Sequence, residues 1–404
     1  MTGAGQDQKT QWPIVWIALG AGIVAATHLG KLPPALPEIR TALDAGLVTG
    51  GWIASMISCT GFALGIVAGS IADRTGQRRV LVFGLIAMTG GSLLGAFAYS
   101  GEAMLASRFV EGIGFTAVTI TGAGMINHVT AAGDRKWALG IWSSYLPCGF
   151  SVMLIVGALI LDAYGWRTLW IVSSVITFVW AGIVYRVTAG WHRRESTGTS
   201  ATSMLSGALQ CLTNRGALLV SACFGLYAAQ QIAMVAWLPT YMHEVYGSGR
   251  LTAAALPALV LSFNAVGNWL SAWAMGRGMS SWPLLAIGAA GMGLTQIGIF
   301  SADLADPWRL VFAVFFGLFG GMVPAAALGS VATYAPSPAL IGTMNGLMVT
   351  GTNTGMLFGP PAAAAVRAAT GNWNDVAWLM VALAAVGLLF ALLSRPLERR
   401  ANRL

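Results

Sequence analysis

Arg108 and Glu111 are three residues apart in a run, Met104 to Asn127, that carries no other formal charge. Residues at that spacing share one face of a helix. A lone charge at the centre of a bilayer costs at least about 2.5–3.5 kcal/mol on insertion scales, so a pair turned toward a protein interior is the expected compromise. Two roles are open. Glu111 takes up and releases a proton while Arg108 draws an anionic group or sets the carboxyl's proton affinity, or the two satisfy each other and anchor the helix. His28, toward the end of the first apolar run, either titrates near neutral pH or bonds a neighbouring backbone group. Other polar or aromatic candidates are Trp142, Tyr145, Tyr227, Gln230, Gln231, Asn264, Asn268, Asn345 and Asn353. Each either faces a solute or makes an interhelical hydrogen bond of about 0.6 kcal/mol. Pro147 frees a backbone carbonyl and offers a kink.

Other chemistry has little to stand on. The sequence has no Gly-x-x-x-x-Gly-Lys-Ser/Thr loop of an ATP-driven pump and no His-Glu-x-x-His. Its four histidines, His28, His128, His192 and His243, are scattered, and the carboxylates do not cluster. Cys59, Cys148, Cys211 and Cys223 form no CxxC pair and read as small core residues. An enzyme, a metal centre and a cofactor are therefore not expected. A net charge of +8 raises nucleic acid as a partner, but the basic residues are spread over short connections rather than gathered in a stripe.

The elements that must position these residues are membrane spans. Of 404 residues, 56% are hydrophobic and 9% charged, against about 25% charged in a soluble domain. A chain so poor in charge needs lipid over most of its surface. Apolar runs long enough to cross about 30 Å of hydrocarbon lie at Pro13–Leu32, Gly46–Ala72, Val80–Tyr99, Met104–Asn127, Trp137–Leu161 and Thr168–Val187. A second set lies at Ala217–Tyr241, Leu251–Met275, Trp282–Phe300, Trp308–Thr333, Leu340–Ala369 and Asn374–Leu393. The first run lacks a small-residue cleavage site and reads as a retained span. With both termini cytoplasmic, fifteen of the 22 basic residues fall on the cytoplasmic side. Six fall outside (Lys31, Arg40, Arg167, Arg250, Arg309 and Arg367), and Arg108 alone lies within a span. That bias is the positive-inside pattern. The expectation is a multi-pass protein of the inner (plasma) membrane.

The chain also repeats itself. Leu36-Pro37 recurs as Leu238-Pro239 at an offset of 202, Arg79 is matched by Arg277 at 198, and Gly140, Gly149 and Gly165 by Gly346, Gly355 and Gly371 at 206. The Ser-, Thr- and Arg-rich stretch 188–215 reads as a linker between a six-span bundle at 1–187 and another at 216–404. The fold class is thus an all-α membrane protein of twelve transmembrane helices in two pseudo-symmetric bundles. Parallel repeats of this kind leave a solute site between the halves, exposed to each side in turn by rocking.

Gly69-Ser70-Ile71-Ala72-Asp73-Arg74-Thr75-Gly76-Gln77-Arg78-Arg79, between spans two and three, resembles the signature loop of the major facilitator superfamily at every defining position. The resemblance implies a latch, in which Asp73 and Arg74 gate rather than bind solute. Gly267 through Ala274-Met275-Gly276-Arg277-Gly278 is a relic of that loop without its Asp, so the latch is one-sided. Arg108-Phe109-Val110-Glu111-Gly112-Ile113-Gly114 is similar to the family's Arg-x-x-x-Gly-x-Gly element. Gly140 through Gly149 resembles the antiporter element of the family's drug exporters, but Leu146 replaces the glycine before Pro147 and only Gly149 remains of the trailing pair. Leu36-Pro37-Glu38-Ile39-Arg40 with Gly51-Trp52 is similar to cyanate-permease-like and organic-acid carriers over a short stretch. The family implies a secondary carrier. One buried Arg, several amides and many aromatics (Trp16, Trp142, Tyr145, Trp237, Trp269) suit a small organic anion or an amphipathic compound as its solute, with protons as the coupling ion and a monomer as the expected state. Drug efflux and, from another class, a non-transporting membrane sensor are the alternatives.

Overall fold

The computed structural model describes residues 9–63, 65, 76–131, 134, 138, 141–142, 144–189, 209–300, 306–337 and 340–401. All regular structure among the described residues is helical. The helices are α1 Trp12–Gly30, α2 Leu32–Ala42, α3 Leu47–Ser55, α4 Gln77–Ala96, α5 Gly101–Val129, α6 Tyr145–Val187, α7 Arg215–Tyr246, α8 Arg250–Gly276, α9 Ser281–Phe300, α10 Asp306–Gly329, α11 Val331–Tyr334, α12 Ile341–Thr370 and α13 Trp373–Ala401.

Nine of the described helical segments are long and apolar enough to cross a membrane. One of them, α6, is two predicted spans joined end to end. The polar interruption expected between Leu161 and Thr168 is no loop but a single break at Gly165, with φ 75° and ψ 173°. The second predicted span begins as an apolar helix at Leu47–Ala63, and α12 is 30 residues long, about 45 Å at 1.5 Å per residue. Counted over the described residues, with α6 as two, these helices make twelve crossings.

The first span corrects the reading most. α1 and α2 run on through Lys31, whose backbone is helical at φ −68° and ψ −26°, to give one apolar segment from Trp12 to Ala42. Pro33 and Pro34 fit there because the first turn of a helix leaves its N–H groups unbonded anyway. Lys31, expected in an outer connection, is fully buried inside the bundle.

Backbone conformation confirms the repeat. Among the described residues six have positive φ: Asp44, Gly76, Gly165, Gly247, Gly278 and Gly371. They pair as 44 with 247, 76 with 278 and 165 with 371, at offsets of 203, 202 and 206. The loop after the second span thus aligns through Gly76 and Gly278 rather than through Arg79 and Arg277. Packing repeats too. A Cβ on Gly149 would lie 2.2 Å from the Ile23 carbonyl oxygen, and one on Gly355 would lie 1.8 Å from that of Gly225. Ile23 and Gly225 are themselves 202 apart. Small residues let backbones approach in this way where lipid offers no hydrophobic drive to pack helices.

The halves meet along α3 and α12. Gly51 faces Pro360 and Pro361, and Gly61 receives the Asn353 side chain. Phe358 lies edge-on to Trp52 and Phe62, at 5.9 and 6.0 Å between ring centres. At the other end of the C-terminal half, Glu398 of α13 caps α9 by accepting from Ser281 N, Ser281 Oγ and Trp282 N at 2.7, 2.8 and 2.9 Å.

Gly149→Leu and Gly355→Leu force backbone apart and are expected to cost at least about 1–3 kcal/mol. Gly182→Leu, where an added Cβ meets nothing within 4 Å, is the control. Thermal unfolding of purified protein should show lower midpoints for the first two and little change for the third.

Candidate functional site

Four charged or titratable side chains of the N-terminal half form one buried cluster. His28 and Lys31 are three apart at the α1–α2 junction, and Arg108 and Glu111 are three apart on α5, so each pair shares a helix face. All four are 0% exposed. Glu111 is the centre. Its Oε1 accepts from Lys31 Nζ at 2.5 Å and lies 3.0 Å from His28 Nδ1. Its Oε2 accepts from Arg108 Nη1. Arg108 also donates to the His28 carbonyl at 2.9 Å and the Ile53 carbonyl at 3.3 Å.

Two more helices close the shell with neutral groups. Ser92 of α4 accepts from Lys31 at 2.8 Å and donates to the Trp170 carbonyl at 2.8 Å. On α6, the Trp170 ring lies 4.4 Å from the Lys31 ammonium, a cation–π contact that gains strength when desolvated. Thr177, also on α6, stands 2.7 Å from His28 Nε2 and donates to the Ser173 carbonyl at 2.7 Å. The two expected charges are therefore joined by a third, Lys31, and by His28. With Lys31 an ammonium the cluster carries one more positive than negative charge, and Arg108 Nη2, buried, has no partner.

The C-terminal half answers with amides. Tyr227 of α7 stacks on Phe224 at 5.9 Å. Asn264 of α8 donates to the Tyr227 hydroxyl at 3.1 Å and to Gln231 Oε1 at 3.5 Å. Asn268 bonds back to Asn264, and Gly320 of α10 lies against Gln231. Gln231 Nε2 and Gln230 Oε1 are buried without partners, while Gln230 Nε2 donates to the Leu226 carbonyl at 3.0 Å. At an offset of 202 Gln230 matches His28 and Ala233 matches Lys31. The charged cluster thus belongs to one half only.

Other expected residues lie apart from both groups. Trp142 packs over Gly22 and Gly122 and stacks on Tyr145 at 4.6 Å. Pro147 is half-buried. Asn353 bonds its own helix at the Val349 carbonyl and fills the gap at Gly61, and Asn345 is exposed. Of the signature loop, Gly69, Asp73 and Arg74 lie outside the described residues, as does Gly140. Arg79 is exposed. Arg78 is spent within its own half, donating to Thr188 Oγ1 at 3.0 Å and the Tyr185 carbonyl at 2.8 Å, where a cation suits the end of α6.

An interaction between halves that no local motif announced closes the face where α8 begins. Arg250 of α8 reaches Glu38 of α2 at 3.2 Å and Asp162 of α6 at 3.6 Å. Glu38 also accepts from the Trp166 backbone at 3.4 Å.

Helices and site together define a multi-pass membrane protein of two related six-helix bundles, with buried charge in one and amides in the other. The chain belongs to the Major Facilitator Superfamily, whose sequence model matches residues 17–337. The multidrug efflux pump LfrA of Mycolicibacterium smegmatis is 29% identical over 43% of this chain and 35% of its own length. The riboflavin transporter RibZ of Clostridioides difficile is 24% identical over 42% of this chain and 38% of its own. The chain thus spans little more than a third of the length of either. A protein of Cupriavidus necator named as a probable sulfoacetate transporter, SauU, is 25% identical over 97% of this chain and 95% of its own. The solved structure of a bacterial homologue of the human lysosomal transporter Spinster, inward-facing and unoccupied, superposes with a TM-score of 0.78 at 15% identity, covering 99% of this chain and 98% of that one.

Two outcomes follow. Glu111→Gln leaves buried cations unpaired and is expected to cost about 3–5 kcal/mol; the double variant with Lys31→Met should cost less than the two single changes summed, as a thermal-unfolding cycle can measure. The Arg250 pairs are partly exposed and worth roughly 0.2–1 kcal/mol. Arg250→Ala should then raise the reactivity of a cysteine placed at buried Leu36 by no more than about fivefold.

Proposed function

We propose that this protein is a secondary transporter that moves a small organic anion together with a proton, by alternating access between its two halves. The observation that carries the reading is the buried cluster of one carboxylate with two cations and an imidazole. An excess positive charge away from water needs a counter-charge, and an anionic group brought to Arg108 Nη2 supplies it. The amides of Tyr227's group, with Gln231 Nε2 unpaired, offer the donors that would orient the rest of the solute. SauU, named as a probable sulfoacetate transporter and matched over nearly the whole chain, supports an organic acid as cargo.

In this scheme the bundles 1–187 and 216–404 rock about the α3–α12 seam, joined by 188–215. The Arg250 pairs hold one face shut, and Asp73 and Arg74 latch the other. The protein works as a monomer in the inner membrane with both termini cytoplasmic. Efflux of drug-like compounds is the second reading, favoured by the identity with LfrA and opposed by the incomplete element around Pro147.

A thermal-shift screen of purified protein against organic acids, sulfoacetate included, and cationic drugs separates the two. Acids should raise the unfolding temperature and cations should not. In proteoliposomes, the acid so found should exchange saturably in counterflow. Glu111→Gln should abolish accumulation driven by a pH gradient while part of the exchange remains. Unchanged pH dependence in that variant would remove Glu111 from coupling, and no saturable exchange of any compound would sink the transporter reading.

A further inference from the structure

The hydrogen bonds of the cluster limit where a mobile proton can sit. Thr177 has one hydroxyl hydrogen and gives it to the Ser173 carbonyl, so toward His28 Nε2 it can only accept. His28 Nε2 therefore carries a hydrogen. Ser92 likewise gives its hydrogen to the Trp170 carbonyl and accepts from Lys31. An ammonium has three hydrogens, and Lys31 has three acceptors: Ser92 Oγ at 2.8 Å, Glu111 Oε1 at 2.5 Å and His28 Nδ1 at 3.3 Å. With Lys31 fully protonated, every ammonium hydrogen has an acceptor and Nδ1 receives one of them, whereas the 3.0 Å contact between Nδ1 and Glu111 Oε1 is a hydrogen bond only when a proton sits between those two atoms. Glu111 meanwhile takes an ammonium at Oε1 and a guanidinium at Oε2, two charge-assisted bonds that the carboxylate form makes best.

We propose that the proton exchanged in the transport cycle is carried by Lys31, with His28 Nδ1 as its neighbouring acceptor, and that Glu111 stays ionised as a positioning residue. This rests on the proton-coupled reading proposed above. Inside the closed cluster a proton moves by breaking one Lys31 Nζ–H bond and forming one His28 Nδ1–H bond. The ammonium becomes an amine, the imidazole becomes an imidazolium, and the total charge is unchanged. The new Nδ1–H then faces Glu111 Oε1, 3.0 Å away. Loss of that proton to water when the bundle opens leaves Arg108 and Glu111 as a neutral pair. Its return restores one excess positive charge, the charge that one negative group of a solute offsets. The groups facing the Lys31–His28 pair are Arg108 and Glu111 from α5, Ser92 from α4, and Trp170 and Thr177 from α6. Among the described residues α4 and α6 bring no charge to it.

The sequence makes a direct test practical, because it has only three lysines, Lys9, Lys31 and Lys136. Purified protein labelled with 15N at lysine Nζ is titrated and followed by NMR. The Lys31 signal is assigned by its absence from Lys31→Arg, or by elimination with Lys9→Arg and Lys136→Arg should Lys31→Arg not fold. Infrared difference spectra of wild type and Glu111→Gln report the carboxyl in parallel. The expected result is that Lys31 passes from ammonium to amine over the pH range in which proton-driven accumulation changes, with no carboxyl signal from Glu111. In proteoliposomes Lys31→Arg, whose guanidinium keeps its proton, should lower pH-driven accumulation at least tenfold more than counterflow. A Lys31 that remains an ammonium throughout, or a Glu111 that titrates instead, overturns the proposal. Equal loss of accumulation and counterflow in Lys31→Arg overturns it also and leaves the transporter reading standing. A titrating Lys31 in a protein that moves no solute supports the proton site and removes the transporter reading.

Discussion

The burial of the Glu111 carboxyl out of reach of water is the constraint on which the N-terminal half depends. A buried carboxylate is tolerated only where cations and donors replace its hydration. Here those come from a continuous first span, which brings Lys31 and His28, and from the turn of α5 that brings Arg108. Ser92, Trp170 and Thr177 then fix where α4 and α6 must lie. The bundle is organised around a charge that lipid could not hold.

The C-terminal half has the same backbone plan and a different interior. Its turns fall at equivalent positive-φ positions, and its α7–α12 contact at Gly225 and Gly355 repeats that of Ile23 and Gly149. Gln230 and Ala233 occupy the places of His28 and Lys31. With no charge to hold there, neutral amides on α7 and α8 hydrogen-bond one another and leave over one donor, Gln231 Nε2, and one acceptor, Gln230 Oε1. A chemical difference is thus laid on a structural repeat, with charge in one half and neutral amides in the other.

Most of the fold was legible in the sequence, because an apolar run of twenty residues admits few structures in a bilayer. The cluster was half legible. Arg108, Glu111 and His28 stand out as polar groups in apolar runs, but Lys31 reads as the end of a span since a cation often marks one. The signal against that was Leu32-Pro33-Pro34-Ala35-Leu36-Pro37, which stays apolar beyond Lys31. The Glu38–Arg250–Asp162 contact joins residues on three helices of two halves and leaves no mark on any short stretch of sequence. Asn345 shows the opposite failure, an amide in an apolar run that turns outward.

Symport requires that an organic anion and a proton cross together. Proteoliposomes in weakly buffered medium with an external pH indicator test it most directly. Adding sulfoacetate or another stabilising acid outside should draw protons inward, raising the external pH as the acid enters. Entry of the acid with no pH change, or no entry at all, would contradict it.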